Sequence, residues 1–343
     1  GAGAFIMAEI TGIPYTELVV AAIIPAVLYF ASVYFTVDFE ARKLGMEGLP
    51  RSELPVFSDL LKRAFLFAPV VILIYALFAG YSVIRAGTLA TVAAVVVSWL
   101  TPHRVGPVRF LEALSLSARM AIQIIAVCAC AGIIVGVISL TGVGARFSSL
   151  LLSVAEASQL LALIFAMCIA IILGMGMPTT AAYAVAASVV APGLVQLGIE
   201  PLVAHFFVFY FAVISAITPP VALAAYAGAA IAGADPMRTS VESFRVGLAA
   251  FVVPFMLFYS EGLLMQAPLP VILHNSLTAL VGVFLLSAAA VGYFFGRLPA
   301  AARVALLAAA LLMILGGVLT DTAGVALGLA VWGWRRLSAP REA

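Results

Sequence analysis

Long stretches without charge restrict this chain's fold more than any other feature. Residues 157–199 hold no charged side chain, and eight further uncharged runs follow the same habit: 18–37, 64–84, 86–102, 120–145, 201–234, 246–260, 262–296 and 304–320. A helix needs about 20 apolar residues, at roughly 1.5 Å rise each, to cross a bilayer core of about 30 Å. Most of these runs meet that length. Only 9% of the 343 residues are charged and 65% are hydrophobic, whereas a soluble domain carries about 25% charge. The expected fold is an all-α polytopic membrane protein. A transmembrane β-barrel would need strict alternation in segments of about ten residues, and the sequence does not alternate.

Basic residues orient such a chain. Arg42, Lys43, Arg51, Lys62, Arg63, Arg104, Arg109, Arg119, Arg238, Arg245, Arg297, Arg303, Arg335, Arg336 and Arg341 fall on one face if 157–199 enters and leaves from the same side. Only Arg85 and Arg146 then lie opposite. The positive-inside rule makes the crowded face cytoplasmic. This parity suits a re-entrant hairpin entering from outside, and two complete short spans would give the same count. Residues 38–63, with mixed charge and Gly/Pro punctuation, read as a cytoplasmic linker with an interfacial helix. Residues 107–120 read as an amphipathic connector.

Two stretches resemble each other. Each passes from small residues to a Gly followed shortly by Pro (Gly12 and Pro14, Gly233 and Pro236), then to a mid-span proline (Pro25, Pro254) and an aromatic end. Threading gives them opposite orientations, as in the inverted repeats of secondary transporters.

Two clusters interrupt the apolar runs of the second unit. In Gly174-Met-Gly-Met-Pro-Thr-Thr180, Pro178 disfavours helix at Met177 and the glycines permit a tight reversal. In Ser215-Ala-Ile-Thr-Pro-Pro220, two prolines remove two backbone donors and leave carbonyls near Ser215 and Ala216 without helical partners. Freed backbone groups cost several kcal/mol each in hydrocarbon, so such breaks persist where protein or a watery cavity receives them. Carbonyls with Thr and Ser hydroxyls suit a hard cation, and the helix starts at Thr179 and Val221 suit a carboxylate. Pro25, Pro69 and Pro254 read as plain kinks.

His205, Tyr210 and Tyr226 are weaker candidates, with His205 expected near the external interface. His274, Trp332 and Trp334 read as interfacial residues, and Cys128, Cys130 and Cys168 as small buried packing residues. No catalytic constellation and no metal-ligand spacing is present, so no enzymatic activity, nucleic-acid partner or metal other than a coupling ion is expected.

Gly132-Ile-Ile-Val-Gly-Val-Ile-Ser-Leu-Thr-Gly142, Leu173-Gly-Met-Gly-Met-Pro-Thr-Thr-Ala-Ala-Tyr183 and the run from Ala204 to Tyr226 through Thr218-Pro-Pro220 resemble the large permease subunit of TRAP (tripartite ATP-independent periplasmic) transporters. The branch most similar is the fused permease that works with TAXI-type binding proteins. The resemblance covers essentially the whole chain. It implies an ion-transporter-like fold with inverted repeats, a re-entrant hairpin and a discontinuous helix, working by an elevator mechanism in the inner (cytoplasmic) membrane of a bacterium or archaeon. It implies Na+ as coupling ion, with H+ as the alternative, at Gly174, Gly176, Thr179, Ser215, Ala216 and Thr218. Substrate is expected at Met177, Pro178, Thr179, Thr180, Pro219 and Pro220. The family's substrates are organic acids, often C4- or C5-dicarboxylates.

On this basis residues 1–37 end the first repeat, 38–63 are the linker, 64–120 scaffold helices and connector, and 121–265 the second repeat. That repeat contains the hairpin (158–199) and broken helix (203–234), and 266–343 add C-terminal spans. The first repeat's own hairpin and proline break are missing ahead of Gly1, which is not an initiator Met. The chain is therefore expected to be the C-terminal portion of a longer permease. Its expected partners are the upstream half, a four-helix small subunit, a periplasmic TAXI-type binding protein and membrane lipid. Two other readings of the same residues are a binding-protein-independent divalent-anion:sodium symporter and a non-transporting membrane scaffold.

Overall fold

The computed structural model describes residues 2–50, 53, 54, 57–102, 104–314 and 316–338. Arg51 and Arg341, two of the residues used for orientation, lie outside them. Among the described residues the chain is helical throughout, and the one β-type pairing is an isolated bridge between Tyr293 and Arg297. Contacts group Gly1–Met46 with Cys128–Ala343 in one unit and place Glu47–Val127 in a second.

Helix α1 (Ala2–Thr11) ends at Gly12, whose positive φ of 70° suits a residue without Cβ, and α2 (Tyr15–Lys43) begins just after Pro14. α2 runs past the last apolar residue because its charges are spaced to pair along the helix: Arg42 meets Asp38 at 2.8 Å and Lys43 meets Glu40 at 3.2 Å.

The second unit holds α3 (Phe57–Lys62), α4 (Ala68–Phe78) and α5 (Val83–Ser98). α4 and α5 pack together around a turn at Gly80, and Ser82 caps α5 by accepting from the Arg85 amide. The Arg85 guanidinium lies 4.7 Å above the Tyr81 ring. α6 (Pro107–Thr141) runs unbroken across residue 120, the expected end of the connector.

At Gly142 (φ 68°) the chain bends by 69° into α7 (Val143–Ala157). Next come α8 (Gln159–Gly174) and α9 (Thr179–Gln196), about 24 and 27 Å long and packed on each other. α9 approaches α7 closely at Gly193, where a Cβ would stand 3.0 Å from Leu151. α10 (Pro201–Ile214) passes into a 3-10 turn (Ser215–Ile217), and the helix resumes only at α11 (Leu223–Ala232). α12 (Pro236–Gly247), a 3-10 stretch (Leu248–Val252) and α13 (Val253–Tyr259) form one apolar stretch long enough to span. Pro254 opens α13 rather than kinking it, since its missing N–H falls in the first turn.

α14 (Leu269–Val291), α15 (Ala300–Ile314) and α16 (Val318–Ser338) complete the chain. They approach one another through glycines: Gly282 faces α15, Gly324 lies against Met313, and Gly328 against Leu285. Among the described residues, four segments can cross a membrane by length and composition: Tyr15–Lys43, Thr179–Gln196, Pro236–Tyr259 and Leu269–Val291. The bent pair Cys128–Thr141 and Val143–Ala157 makes a fifth. The protein is all-α and polytopic.

Cross-bonds set the directions. Ser287 donates to the Ser32 carbonyl and Lys43 to the Val291 carbonyl, so α2 and α14 run parallel. Gly262, just after α13, lies against Val271 and Asn275 at the start of α14. α13 therefore ends where α14 begins, and the α12–α13 stretch runs opposite to α2. Each of these two stretches follows a ten-residue helix (α1, α11), a left-handed glycine (Gly12, Gly233) and a proline.

The core of the larger unit is built on α9 and α10, with Tyr183, Phe207 and Phe211 fully buried. The three cysteines lie on exposed helix surfaces, not in that core, a correction to the packing role expected of them. His274 Nε2 bonds Asp321 Oδ2 at 2.9 Å, tying α14 to α16.

Candidate functional site

The two glycine- and proline-rich clusters meet. α8 stops at Gly174, and Met175, Gly176, Met177 and Pro178 make the turn into α9. Gly176 holds φ 73°, and the Met177 amide returns to the Gly174 carbonyl at 3.3 Å. Gly174 abuts the end of α10 so closely that a Cβ would lie 2.6 Å from Ser215 Oγ and 3.1 Å from the Ala212 carbonyl. A Cβ on Gly176 would meet Val221 at 3.2 Å. The glycines thus serve two needs, a left-handed turn at 176 and backbone-to-backbone approach at 174.

The break has a definite bonding pattern. The Thr218 amide takes the Ser215 carbonyl at 3.1 Å, so Ser215 is not deprived of a partner as expected. Ala216 is. Its carbonyl would bond residue 219 in a 3-10 turn or residue 220 in an α-helix, and both are proline. Ser215 Oγ donates to the Ala212 carbonyl at 2.6 Å, and Thr218 Oγ1 to the Ile214 carbonyl at 2.9 Å. A hydroxyl has one proton and two lone pairs. With both protons turned back onto α10, both oxygens keep lone pairs for another ligand. Ser215 and Thr218 are buried. The Pro219–Pro220 peptide is cis, and the Tyr226 hydroxyl donates to the Pro220 carbonyl, closing the break from the α11 side.

Two helix starts flank this region. At α9, Pro178 is the cap residue without a side-chain bond, and the first amide with a helical partner is Ala182, to the Pro178 carbonyl at 3.0 Å. The amides of Thr179, Thr180 and Ala181 are left as the positive end. α11 begins at Leu223, two residues later than Val221, the expected start.

The two threonines do not act as a pair. Thr179 lines a cleft of about 320 Å³ with Tyr29, Phe206, Phe209 and Tyr210, whereas Thr180 lines another of about 350 Å³ with Ile6, Gly132 and Ser188. Met177 packs partly against the apolar core, and Pro178 and Pro220 are exposed. Of the expected residues, the structure brings Gly174 and Gly176 onto the Ser215–Val221 segment, while Thr179, Thr180, Met177 and Pro178 stand around the α9 start.

Some contacts had no sequence signal. Tyr183, one turn into α9, bonds His205 Nδ1 at 2.7 Å and packs edge-on to Phe209. The bond ties the start of α10, where His205 is partly buried, to α9. The Tyr210 hydroxyl donates to the Pro25 carbonyl of α2 at 3.4 Å. Among the described residues no three His, Cys, Asp or Glu side chains gather as metal ligands. The arrangement offers neutral oxygens and helix ends, groups able to bind a small cation and an anion.

No curated protein and no solved structure matches the chain. The family model described as "Tripartite ATP-independent periplasmic transporter, DctM component" matches residues 1–272. That range contains both clusters and the helices that bring them together, and it leaves out most of α14 and all of α15 and α16. The family is one of transporter permeases that work with a binding protein and a small subunit. A multi-pass helical chain with this match belongs to the DctM component family of tripartite ATP-independent periplasmic transporters.

Proposed function

We propose that the chain is the permease part of a sodium-coupled importer that receives organic acids, C4- and C5-dicarboxylates among them, from a TAXI-type periplasmic binding protein. One observation carries this reading: the turn at Gly174–Gly176 seats on the break at Ser215–Val221, where two hydroxyl oxygens and one deprived carbonyl are available. Broken helices that offer carbonyls to Na+ and helix N-termini to a substrate carboxylate are the transporter pattern. Ser215, Ala216 and Thr218 would hold the cation, with Gly174 and Gly176 closing over it and Thr179 beside it. The free amides of Thr179, Thr180 and Ala181 would face the carboxylate, with Met177, Pro178, Pro219 and Pro220 shaping the walls.

Coupling follows from charge. Residues 157–199 and 201–234 contain no Asp, Glu, Lys or Arg, so the site has no fixed counter-charge for either ligand. In a low dielectric each ligand is then the other's best partner, and the coupling is reciprocal. In the elevator movement the turn and the break would travel as one body in a cytoplasmic membrane.

The test is uptake by the full-length permease reconstituted with its binding protein and an imposed sodium gradient. Thr218→Ala and Gly176→Leu should each lower sodium-driven dicarboxylate uptake at least about tenfold, the scale of one lost ligand bond of roughly 1.4 kcal/mol or more. Unchanged uptake in both variants would overturn the site. Full uptake without the binding protein would point to a binding-protein-independent symporter.

A further inference from the structure

The three C-terminal helices lie largely outside the family match, and their basic residues gather at one end of α14. Gly292, in the left-handed conformation, stops α14 and leaves its last carbonyls without helical donors. Cationic side chains take three in succession. Arg303 Nε bonds the Ala289 carbonyl at 2.9 Å and Nη2 the Ala290 carbonyl at 3.0 Å, and Lys43 Nζ bonds the Val291 carbonyl at 3.1 Å. The Arg335 guanidinium wraps Gly296, a position any Cβ would fill, and its Nε is buried without a partner. Glu40 offsets Lys43 and Glu242 offsets Arg245. Among the described residues neither Arg303 nor Arg335 has a carboxylate partner.

Arg303 also stands in the wall of a cleft of about 340 Å³ whose other walls include Leu248, Leu286, Ala289, Val304 and Leu307. Leu248, Val304 and Leu307 are exposed in this unit, so the cleft opens outward along apolar surface. Arg245 lies one helical turn before Leu248 in sequence. The guanidinium is fixed in direction by two carbonyls, and among the described residues its Nη1 has no hydrogen-bond partner.

We propose that this cleft binds an anionic phospholipid, with its phosphate on Arg303 and an acyl chain between Leu248 and Leu307. The occupant is chosen by complementarity. An apolar trough with a held cation at its mouth matches an amphiphile bearing a negative head, and a small dicarboxylate would leave the trough unfilled. Basic pockets between transmembrane helices on the cytoplasmic side are suited to such heads, at about 1 kcal/mol per Lys or Arg. This is the end at which Lys43, Arg303 and Arg335 converge, the face the positive-inside rule makes cytoplasmic. The inference is independent of the sodium site, which uses none of these residues.

The experiment is native mass spectrometry of the delipidated full permease titrated with phosphatidylglycerol, with phosphatidylcholine of the same chains, and with inorganic phosphate. Wild type should retain phosphatidylglycerol about fivefold better than phosphatidylcholine, the ratio that one basic contact gives. Arg303→Gln should bring that ratio close to one. Leu307→Trp, which fills the trough and keeps Arg303 in place, should lower retention of both lipids and serves if Arg303→Gln does not fold. Inorganic phosphate should not compete. Equal retention of the two lipids by wild type, an unchanged ratio in Arg303→Gln, unchanged retention in Leu307→Trp, or displacement by inorganic phosphate would each overturn the proposal.

Discussion

Gly174 shows how much one position carries here. A methyl group there would lie 2.6 Å from Ser215 Oγ, so even alanine must push the α8 end away from the break or turn the Ser215 hydroxyl off Ala212. Overpacking of this kind costs about 1–3 kcal/mol. Asp321 is the opposite case, a charge held inside. Its side chain is 6% exposed, its Oδ2 bonds His274, and its Oδ1 has no partner. His274→Ala therefore strands a buried carboxylate and should lower stability by about 1–3 kcal/mol in thermal unfolding. His274→Gln, which keeps a donor, should recover most of the loss. Equal effects from Ala and Gln would show that the bond contributes little.

At the scale of elements, prolines and glycines mark helix ends directly. Gly233 and Pro236, Gly174 to Pro178, and Pro219 with Pro220 each mark a real helix end, because a missing N–H or a left-handed turn acts locally and needs no tertiary partner. Charge was a poorer guide to ends. α2 continues to Lys43 and α6 continues through Arg109, Glu112 and Arg119, since charged residues leave the apolar run without leaving the helix. Contacts distant in sequence were not legible. Tyr183 with His205, His274 with Asp321, and Gly174 on Ser215 join residues whose spacing carries no period. The break itself can be tested as an element. Pro219→Ala combined with Pro220→Ala supplies two donors to the Ser215 and Ala216 carbonyls, so helix should extend across 218–222. Hydrogen exchange there should slow by about tenfold or more, as one or two backbone bonds of roughly 1 kcal/mol form. Exchange unchanged from wild type would mean the break is held by something other than the prolines.

For the whole molecule, direction and charge agree. α2 and α14 run parallel, α12–α13 run opposite, and Lys43, Arg303 and Arg335 collect at one end. Arg146 sits at the start of α7, beyond the 69° bend that ends α6. In the intact permease in cells, Arg146→Cys should react with an impermeant maleimide from outside, and Arg297→Cys only after the membrane is opened. Equal external labelling of both would contradict the orientation.

The central claim is that the Gly174–Gly176 turn and the Ser215–Val221 break form one cation site. Its most direct test is the thermal stability of the purified full-length permease in sodium chloride against choline chloride at equal ionic strength. At sodium a hundredfold above its dissociation constant, linkage gives about 2.7 kcal/mol of stabilisation. Wild type should show that shift, and Gly174→Ala and Thr218→Ala, changed on opposite sides of the contact, should both lose it. A sodium-dependent shift of wild-type size in both variants would contradict the account.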